Sequence, residues 1–557
     1  MRIPFAHITL LTMVMVSGVK AEIIHVPSDQ PTIQGAIDTA EDGDTILVDD
    51  GVYTGYGNQD ITTNGKAISI QSEHGAYLCT IDAGGTHAVP HRAFIFNHQE
   101  MRSTEIRGFM IRTGCAEFGG AIVCEGSSPS IEDCIFFNNS GWGPNPSGGA
   151  IDCRNASPLI AHCSFYSNEV FGNNSYGAAI AILFGSSPLV SECLFQSNFA
   201  EYVGGAIYCQ DAEAIVSSCV FDGNECYGGD FGGYGAGICM YSGEISIDNC
   251  LFSNHWAPSG GSGAYFIFST GSMINCTFTD NRCGSVGGGI YAKESSVFIR
   301  NSIVWSNLPD AIFCDEISQI LVSYSDIENG FEGQANLQID PMFVSGVNGN
   351  YYLSQIASGQ EQSSLCVDAG SEQASEACFP ASDEYFCLNQ LSTRSDGSPD
   401  QGRSDLGYHY RCHFSVPTPT PTPSTQVYTP TPTATPLINL GVRIDMPHFV
   451  RPGDPFEVLG FTVNTLEPMS DLPIFFALRF LDEYWFWPSW SHSDPDYRIV
   501  DVPIGETRYE IVQPCVWPDT VNDTVTHIWF FGALLDPEMT HIIGQHAEVQ
   551  WGFGPER

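Results

Sequence analysis

The chain has 557 residues, of which 64 are acidic and 20 are basic, so its formal net charge is −44. A surface this acidic repels phosphate groups, which argues against nucleic acid and anionic membranes as partners. Hydrophobic residues make up 43% of the chain, which is enough for a large packed interior.

The first 21 residues have the composition of a secretory signal. Arg2 supplies a positive start, the short apolar run from Ile8 to Val19 follows, and Ala21 offers a small-residue cleavage site. No later stretch is long enough for a membrane helix. We therefore expect an exported protein, either secreted or held at the cell surface or outer membrane, with no transmembrane segment in its mature form.

A short helix is predicted near the start of the mature chain. Pro31 suits the first helical position, Ile33, Ala36 and Ile37 share one face, and Gly43 ends the helix. A stacked core has an open apolar end, which such an amphipathic helix is expected to cap.

From Gly119 to Asn307 the sequence repeats with a period of about 29 residues, which is the signature of a solenoid. In each repeat a cysteine is followed two positions later by a phenylalanine, and then by an asparagine. The cysteines are Cys134, Cys163, Cys193, Cys219, Cys250 and Cys276; the phenylalanines are Phe136, Phe165, Phe195, Phe221, Phe252 and Phe278; the asparagines are Asn139, Asn168, Asn198, Asn224, Asn254 and Asn281. A Gly-Gly-Ala-Ile motif occurs at Gly119, Gly148 and Gly204.

Each repeat holds three short apolar groups, and inward and outward residues alternate in the first and third. This pattern predicts an all-β fold, a right-handed parallel β-helix of about ten coils with three strands per coil, over residues 22–412. Like residues are then expected to stack on like, and the asparagines to form hydrogen bonds along one turn. The paired glycines are expected where φ is positive or where a Cβ would clash.

The repeat cysteines lie at positions predicted to point inward, where cysteine behaves as a small hydrophobe. We expect them to be stacked core residues; disulfides between neighbouring coils are the alternative. Four cysteines outside the repeat are better disulfide candidates, although their pairing is open: Cys366, Cys378, Cys387 and Cys412.

After Ser325 the pattern loosens, and segments such as Asp405-Leu406-Gly407-Tyr408 are predicted to form irregular terminal coils. Residues 413–436 alternate proline with threonine, which favours an extended, semi-rigid linker. Residues 437–557 contain apolar runs separated by Pro, Gly, Asp and Asn, which predicts a separate small β-sandwich domain.

The Gly-Gly-Ala-Ile motif and the Phe-x-x-Asn motif resemble the repeats of the polymorphic outer-membrane adhesins. More broadly, residues 22–412 resemble bacterial right-handed β-helix proteins of the pectin-lyase-like superfamily. The resemblance rests on the opening Thr32-Ile33-Gln34-Gly35-Ala36-Ile37-Asp38 and the closing Asp405-Leu406-Gly407-Tyr408-His409-Tyr410. It implies the β-helix fold, with an adhesin or a polysaccharide-degrading enzyme as the expected activity.

The connections between each asparagine and the next glycine pair vary in length, and in solenoids the edge with insertions is often the binding face. Exposed aromatics beside carboxylates suit sugar rings. The candidate ligand-binding residues on this edge are Trp142, Phe171, Tyr202, Tyr227, Tyr234 and Trp256, with Glu169, Glu201, Glu225 and Asp230 among them. The alternative is that these aromatics pack on neighbouring loops and shield the coils.

The sequence therefore favours a non-catalytic surface for adhesion or carbohydrate binding, with glycans or a surface receptor as the partner. No pattern identifies a catalytic group, and a polysaccharide hydrolase or lyase is the alternative. Two carboxylates about 5–9 Å apart on the loop edge would favour the hydrolase. No cofactor is expected; calcium is left as an alternative at Asp396, Asp400 and Asp405, which lie in a glycine-containing turn region.

Overall fold

A computed structural model describes residues 21–411, except 173, 229–231, 347 and 382–384, together with the backbone of nine later strands. The chain divides into two compact units, Met1–Pro417 and Thr418–Arg557. The predicted signal segment before Ala21 and the predicted linker of residues 413–436 lie outside the described residues.

The first unit is a stack of about 12 coils. A representative coil contains four short strands, Ile122–Glu125, Ser130–Glu132, Ile135–Phe137 and Ser140–Trp142. Each strand pairs in parallel with its equivalent in the next coil. We number the four resulting faces of the stack 1 to 4 in this order. The prediction of a parallel β-helix is confirmed; the prediction of about ten coils was slightly low, and that of three strands per coil missed face 4.

Faces 1 and 2 belong to one large sheet because three long strands run across both of them. The long strands are Ile207–Ser217, Ile238–Asp248 and Ala264–Ile274. The other strands of face 1 are Phe94–Phe96, Ile122–Glu125, Ile151–Arg154, Ile180–Leu183, Ile290–Lys293 and Ile312–Cys314. Those of face 2 are Ile23–Val26, Thr45–Val48, Ser69–Ser72, Glu105–Arg107, Ser130–Glu132, Leu159–Ala161, Leu189–Ser191, Ser296–Arg300 and Gln319–Ser323.

Faces 3 and 4 form separate sheets. Face 3 consists of Gly51–Thr54, Cys79–Asp82, Met110–Arg112, Ile135–Phe137, Ser164–Tyr166, Leu194–Gln196, Val220–Asp222, Leu251–Ser253, Thr277–Thr279, Ile303–Trp305 and Asp326–Ile327. Face 4 consists of Cys115–Ala116, Ser140–Trp142, Glu169–Phe171, Phe199–Ala200, Glu225–Cys226, Trp256–Ala257 and Arg282–Cys283.

The core is a set of ladders in which equivalent side chains stack. Phe165 and Phe195 are register partners, and their ring centroids lie 4.8 Å apart with the planes 4° from parallel. The same stacking continues along the column, with centroid distances of 4.4 to 4.8 Å between Phe136 and Phe278. All of these rings are fully buried. The expected stacking of like upon like is therefore observed, at the strand spacing of a parallel sheet.

The asparagine ladder also forms, with one correction. The amide of Asn168 donates to the Phe136 carbonyl and to Oδ1 of Asn198, both at 3.0 Å, and this arrangement recurs along the corner between faces 3 and 4. In one coil the ladder position is held by His255, not by the predicted Asn254, whose side chain is exposed. The prediction followed residue type, whereas the hydrogen bonds follow position: His255 N donates to Asn281 Oδ1 at 3.2 Å.

The repeat cysteines are buried free thiols, as predicted for stacked core residues. Cys163 Sγ donates to the Ala161 carbonyl at 3.2 Å, and its neighbours in the column make the equivalent contact. Burial raises the pKa of Cys134 and Cys163 well above the ordinary value, so both remain protonated.

The two glycines of each motif serve different purposes. Gly148 has φ 63°, a left-handed value that disfavours other residues. Gly149 has no room for a side chain, because a Cβ would lie 2.3 Å from the Ala178 carbonyl oxygen and 2.5 Å from that of Glu169. The pair therefore lets face 4 lie close against the start of the next coil.

A helix spans Ile33–Thr39, where the sequence predicts one, and the Thr32 hydroxyl accepts a hydrogen bond from Gly35 N at its start. Ile33, Ala36 and Ile37 are buried in the main core cluster. Within the described part of the chain there is no helix whose length and apolar content match those of a membrane span.

The last part of the unit does not continue the coils. Strands Phe343–Gly346 and Gly349–Leu353 form a hairpin, and the chain then runs back along face 3. Three corner asparagines hold it there: Asn301 accepts from Ser371 N at 2.9 Å, Asn275 donates to the Asp405 carbonyl at 3.2 Å, and Asn249 accepts from His409 N at 2.7 Å. The predicted irregular terminal coils are therefore a lateral cover, which buries Leu251, Tyr352, Tyr408 and Tyr410 in one cluster.

Smaller elements complete the cover. They are the strands Cys378–Pro380, Tyr385–Cys387, Leu391–Ser392 and Tyr410–Arg411, with 3-10 turns at Ile356–Ser358 and Leu388–Gln390. Of the disulfide candidates, Cys378 and Cys387 are bonded to each other, Cys366 is a buried free thiol, and Cys412 lies outside the described residues.

The second unit is described by its backbone alone. Its strands pair mainly antiparallel, and they are Leu440–Asp445, Phe449–Val450, Pro455–Asn464, Met469–Phe480, Glu483–Trp487, Arg498–Val502, Gly505–Val516, Val525–Leu535 and Ile542–Phe553. These strands agree with the β-structure predicted for residues 437–557, while the sandwich arrangement stays a prediction.

The substitution His255→Asn is expected to stabilise the fold. Burial lowers the pKa of His255 to about 4, so the ring is neutral; Nδ1 accepts from Asn224 N, and the Nε2 proton has no partner in the structure. An unpaired buried donor costs about 1–3 kcal/mol, and an asparagine would regain the ladder bonds, against about 1 kcal/mol for the smaller volume. We expect a net gain of about 1–2 kcal/mol, measured by calorimetry, with Asn198→His as the destabilising control. A lower melting temperature for His255→Asn would contradict the ladder argument.

Thiol labelling should distinguish one cysteine from the rest. Of the sixteen free cysteines in the described residues, fifteen are buried and only Cys314 is partly exposed. With Cys412 and Cys515 replaced by serine, brief alkylation of the native protein should modify Cys314 alone, as read by peptide mass spectrometry, and urea should expose the other fifteen. Rapid labelling of Cys134 and its column in the native protein would show that the interior of the stack is accessible to solvent.

Candidate functional site

Face 4 presents two outward columns of side chains. In each of its strands the second residue points inward, as Val170, Ala200 and Cys226 do in a small buried cluster of their own. The flanking positions therefore point outward. The first column contains Ser140, Glu169, Phe199, Glu225, Trp256 and Arg282; the second contains Trp142, Phe171, Glu201 and Tyr227.

The aromatic residues of face 4 form a continuous ladder over four coils. Ring centroids lie 6.3 Å apart between Trp142 and Phe171, 5.9 Å between Phe171 and Phe199, and 6.3 Å between Phe199 and Tyr227. The rings are tilted to one another by 45° to 57° rather than stacked. At the N-terminal end of the ladder His87 stacks on Trp142, with the ring centroids 3.8 Å apart. Trp142 remains 45% exposed and Tyr227 remains 42% exposed, so the ladder lines a solvent-facing surface.

Carboxylates alternate with these rings. Glu169 and Glu225 are both register partners of Phe199, one coil to each side, so their Cα atoms are about 10 Å apart at the usual strand spacing. Glu201 lies in the second column, and its Oε2 accepts from Gly172 N at 2.6 Å. Face 4 thus combines ring surfaces with hydrogen-bond acceptors at a spacing that the coils determine.

Two of these carboxyl groups have unusual acidity. Desolvation between the aromatic side chains raises the pKa of Glu169 to about 7 and that of Glu225 to about 7. Both side chains are nevertheless half-buried rather than sealed, so water and ligands can reach them. Near neutral pH each carboxyl can therefore act as a hydrogen-bond acceptor or donor.

Two sequence candidates belong to a different cluster. Tyr234 stacks on Tyr265 at 4.5 Å, and Tyr202 makes an edge contact with Tyr176 at 6.0 Å. These rings pack with buried residues on the outer side of face 1, including Tyr208, which is 4% exposed. The packing alternative from the sequence therefore holds for Tyr202 and Tyr234, whereas Trp142, Phe171, Tyr227 and Trp256 lie together on face 4.

Sequence reasoning missed Phe199 and His87. Phe199 occupies the first column while its aromatic neighbours Phe171 and Tyr227 occupy the second, so no fixed spacing connects it to them. Its position one residue after Asn198 was the available signal, because Glu169, Glu225 and Trp256 also directly follow a ladder residue. His87 lies in a non-repetitive segment, and no pattern would have identified it.

The calcium candidates have other partners. Asp396 is bound by Arg394, with Nη2 to Oδ2 at 2.6 Å, and this hydrogen bond lowers the pKa of Asp396 to about 2. Oδ2 of Asp400 lies 3.0 Å from Nε2 of His409, and burial raises the pKa of Asp405 to about 6. In the described residues there is no group of three or more His, Cys, Asp or Glu side chains placed to hold a metal ion.

Residues 94–244 and residues 230–349 match the family model for the right handed beta helix region. This part of the chain is a right-handed parallel β-helix. The fold predicted from the sequence is thus supported both by the structure and by the family match.

Two comparisons with individual proteins are distant. The metabotropic glutamate receptor-like protein R of Dictyostelium discoideum is 29% identical over 137 residues, which is 23% of this chain and 8% of that protein. A solved mannuronic acid specific polysaccharide family 6 lyase from human gut microbiota covers 57% of this chain and 82% of its own, at 11% identity and a TM-score of 0.25. Neither likeness is close enough to transfer an activity.

The double substitution Glu169→Gln and Glu225→Gln should change how stability depends on pH. A carboxyl with a raised folded-state pKa favours folding when protonated, and this advantage is lost as the pH rises from about 4.5 to about 7. The variant should therefore match the parent near pH 4.5 and melt at a higher temperature at pH 8. Glu213→Gln, at an exposed position of face 2, is the matched control and should leave the pH profile unchanged. Parallel profiles for parent and double variant would show that the two carboxyl groups are not desolvated.

Proposed function

We propose that the β-helix is an extracellular, non-catalytic binding protein whose face 4 stacks against the rings of a neutral polysaccharide. The observation that carries the proposal is the aromatic ladder from Trp142 to Tyr227, with carboxyl groups between its members. Its role would be attachment to a glycan surface, and a receptor carrying such glycans is an equivalent partner.

Sugar rings and this surface are complementary in two respects. The C–H faces of a pyranose are apolar and flat, so aromatic rings bind them through burial of apolar area. The sugar hydroxyls need hydrogen-bond partners at the rim, and Glu169, Glu201 and Glu225 supply acceptors there. Because rings and carboxyl groups recur at each coil, an extended chain of sugars suits the surface better than a single residue does.

Charge favours a neutral ligand. The chain carries a net charge of −44, and the outward columns of face 4 contain three glutamates and one arginine, Arg282. Uronate polymers would be repelled by this field at low ionic strength, and salt would weaken the repulsion. The extracellular location rests on the signal-like composition of residues 1–21.

Hydrolysis of a polysaccharide is a second candidate, because Glu169 and Glu225 have a raised pKa and lie about 10 Å apart between Cα atoms. Inverting glycosidases hold their two carboxyl groups about 6.5–9.5 Å apart. Phe199, however, occupies the coil between the two glutamates in the same column, so the two carboxyl groups do not come from adjacent coils. Binding without cleavage is therefore the better-supported function.

The double substitution Trp142→Ala and Phe171→Ala should weaken glycan binding. Removing two stacking rings at about 0.5–1.5 kcal/mol each beyond their buried area should lower affinity by about 10- to 100-fold. Affinity should be measured by depletion and calorimetry on neutral β-glucan, mannan, xylan and chitin, with alginate and polygalacturonate as acidic comparisons. Tyr56→Ala removes a ring that is 99% exposed and not on face 4, and should have no effect. Unchanged binding by the double variant, or preference for the acidic polymers, would refute the proposal.

Cleavage is tested on the same polymers. We expect no release of reducing ends or unsaturated products by the parent protein. If reducing ends do appear, Glu169→Gln and Glu225→Gln tested singly decide their origin, because loss of activity in both variants would establish hydrolysis at face 4.

A further inference from the structure

The corner between faces 1 and 2 places one non-glycine residue in the left-handed backbone conformation in each of six successive coils. These residues are Asn155, Phe184, Asp211, Ser242, Phe268 and Glu294, with φ between 48° and 58°. Asparagine, aspartate and serine are ordinary occupants of such turns, because their short polar side chains form local hydrogen bonds. Two phenylalanines at this conformation are not explained by backbone preference.

Burial does not explain the two phenylalanines either. Phe184 is 43% exposed and Phe268 is 47% exposed, so each side chain adopts a disfavoured backbone conformation without entering the core. An unfavourable backbone conformation that leaves nearly half of a ring in solvent is a reason to look for a ligand. Both rings stand at the solvent edge of the sheet.

The neighbouring side chains extend this feature into a strip. Tyr241 is 39% exposed and makes an edge contact with Phe268, with centroids 5.9 Å apart and planes at 87°. The Arg154 guanidinium stacks on Phe118 at 3.8 Å and reaches to 5.8 Å from the Phe184 ring. Gln210 occupies the coil between Phe184 and Tyr241. Phe184 and Phe268 are three coils apart, which is about 14 Å along the stack. We call Arg154, Phe184, Gln210, Tyr241 and Phe268 the corner strip.

We propose that the corner strip is a second glycan-binding surface, which stacks on a neutral polysaccharide chain independently of face 4. Its five side chains come from five successive coils, with Arg154 and Gln210 in the two coils beside Phe184. Arg154 does not attract an anionic ligand, because its charge is engaged by Asp152 at 2.7 Å. The choice of ligand class rests on the proposed function, whereas the location of the strip does not.

The two surfaces are on different sides of the coil. In coil order the corner strip lies between faces 1 and 2, so face 1 separates it from face 4 in one direction and faces 2 and 3 separate it in the other. A chain bound at one surface therefore leaves the other accessible. A single molecule with two such surfaces would bridge two polysaccharide chains, and the second contact would be strengthened by the first.

Substitution of both phenylalanines by asparagine tests the strip. Phe184→Asn with Phe268→Asn places at each corner a residue that the same corner already contains at Asn155. If the rings are there for a ligand, this corner variant should melt at the same or a higher temperature than the parent, because asparagine tolerates the left-handed conformation. A lower melting temperature would show that the rings serve packing, and would overturn the proposal.

Bridging is measured as the clumping of beads coated with neutral β-glucan, mannan or xylan. The parent should bind and clump beads, while the corner variant should bind several-fold more weakly and no longer clump them. The face 4 variant, Trp142→Ala with Phe171→Ala, should behave in the same way, and the combined variant should not bind. Tyr56→Ala is the control for removal of an exposed ring and should clump beads like the parent.

The outcomes separate the two proposals. A corner variant that binds and clumps like the parent overturns the strip and leaves face 4 standing. A face 4 variant that binds like the parent, together with loss of binding in the corner variant, overturns the proposed site on face 4 and retains the strip. Failure of the parent to bind any coated bead overturns both.

Discussion

The structure depends on one constraint, the in-register parallel stacking of coils at about 4.8 Å. This spacing suits a stacked pair of phenyl rings, a chain of side-chain amide hydrogen bonds and a column of thiols, and the interior consists of these ladders. Each residue of the ladders therefore has an equivalent residue as its neighbour. A different residue type in one coil changes the contacts with the adjacent coils. His255 shows this, because its ring leaves one donor unpaired in an otherwise continuous asparagine ladder.

The same stacking determines how the outward side chains are arranged. An outward side chain on face 4 is repeated at each coil, so any coil that places a ring or a carboxyl there adds to a regular array. Trp142, Phe171, Phe199 and Tyr227 come from four coils, yet their rings lie in one line of contacts. Such a surface suits a ligand that repeats as the protein does. The net charge of −44 opposes the approach of anionic polymers to this surface.

Face 3 shows what happens where periodicity ends. Its outer side carries apolar residues such as Leu251 and Ile303, which would be exposed in a bare solenoid. The segment that follows the last coil covers them and runs back as far as Glu192, which forms an ion pair with Arg411. Corner asparagines that would otherwise face solvent hold the backbone of this segment. The non-repetitive terminal segment of the unit thus packs against the repetitive part, and its own sequence has no period that would have predicted this packing.

The sequence by itself determined the coils, the inward columns, the free buried thiols and the aromatic character of one edge, because a period of about 29 residues links each position to its structural equivalent. Only the tertiary structure decided the rest. It separated Tyr202 and Tyr234, which pack on face 1, from Trp142 and Tyr227, which line face 4, since residues in one loop can turn to either side. It also put His255 in the ladder, added Phe199 to the aromatic line and laid the terminal segment on face 3. These outcomes depend on contacts between residues that no sequence spacing relates.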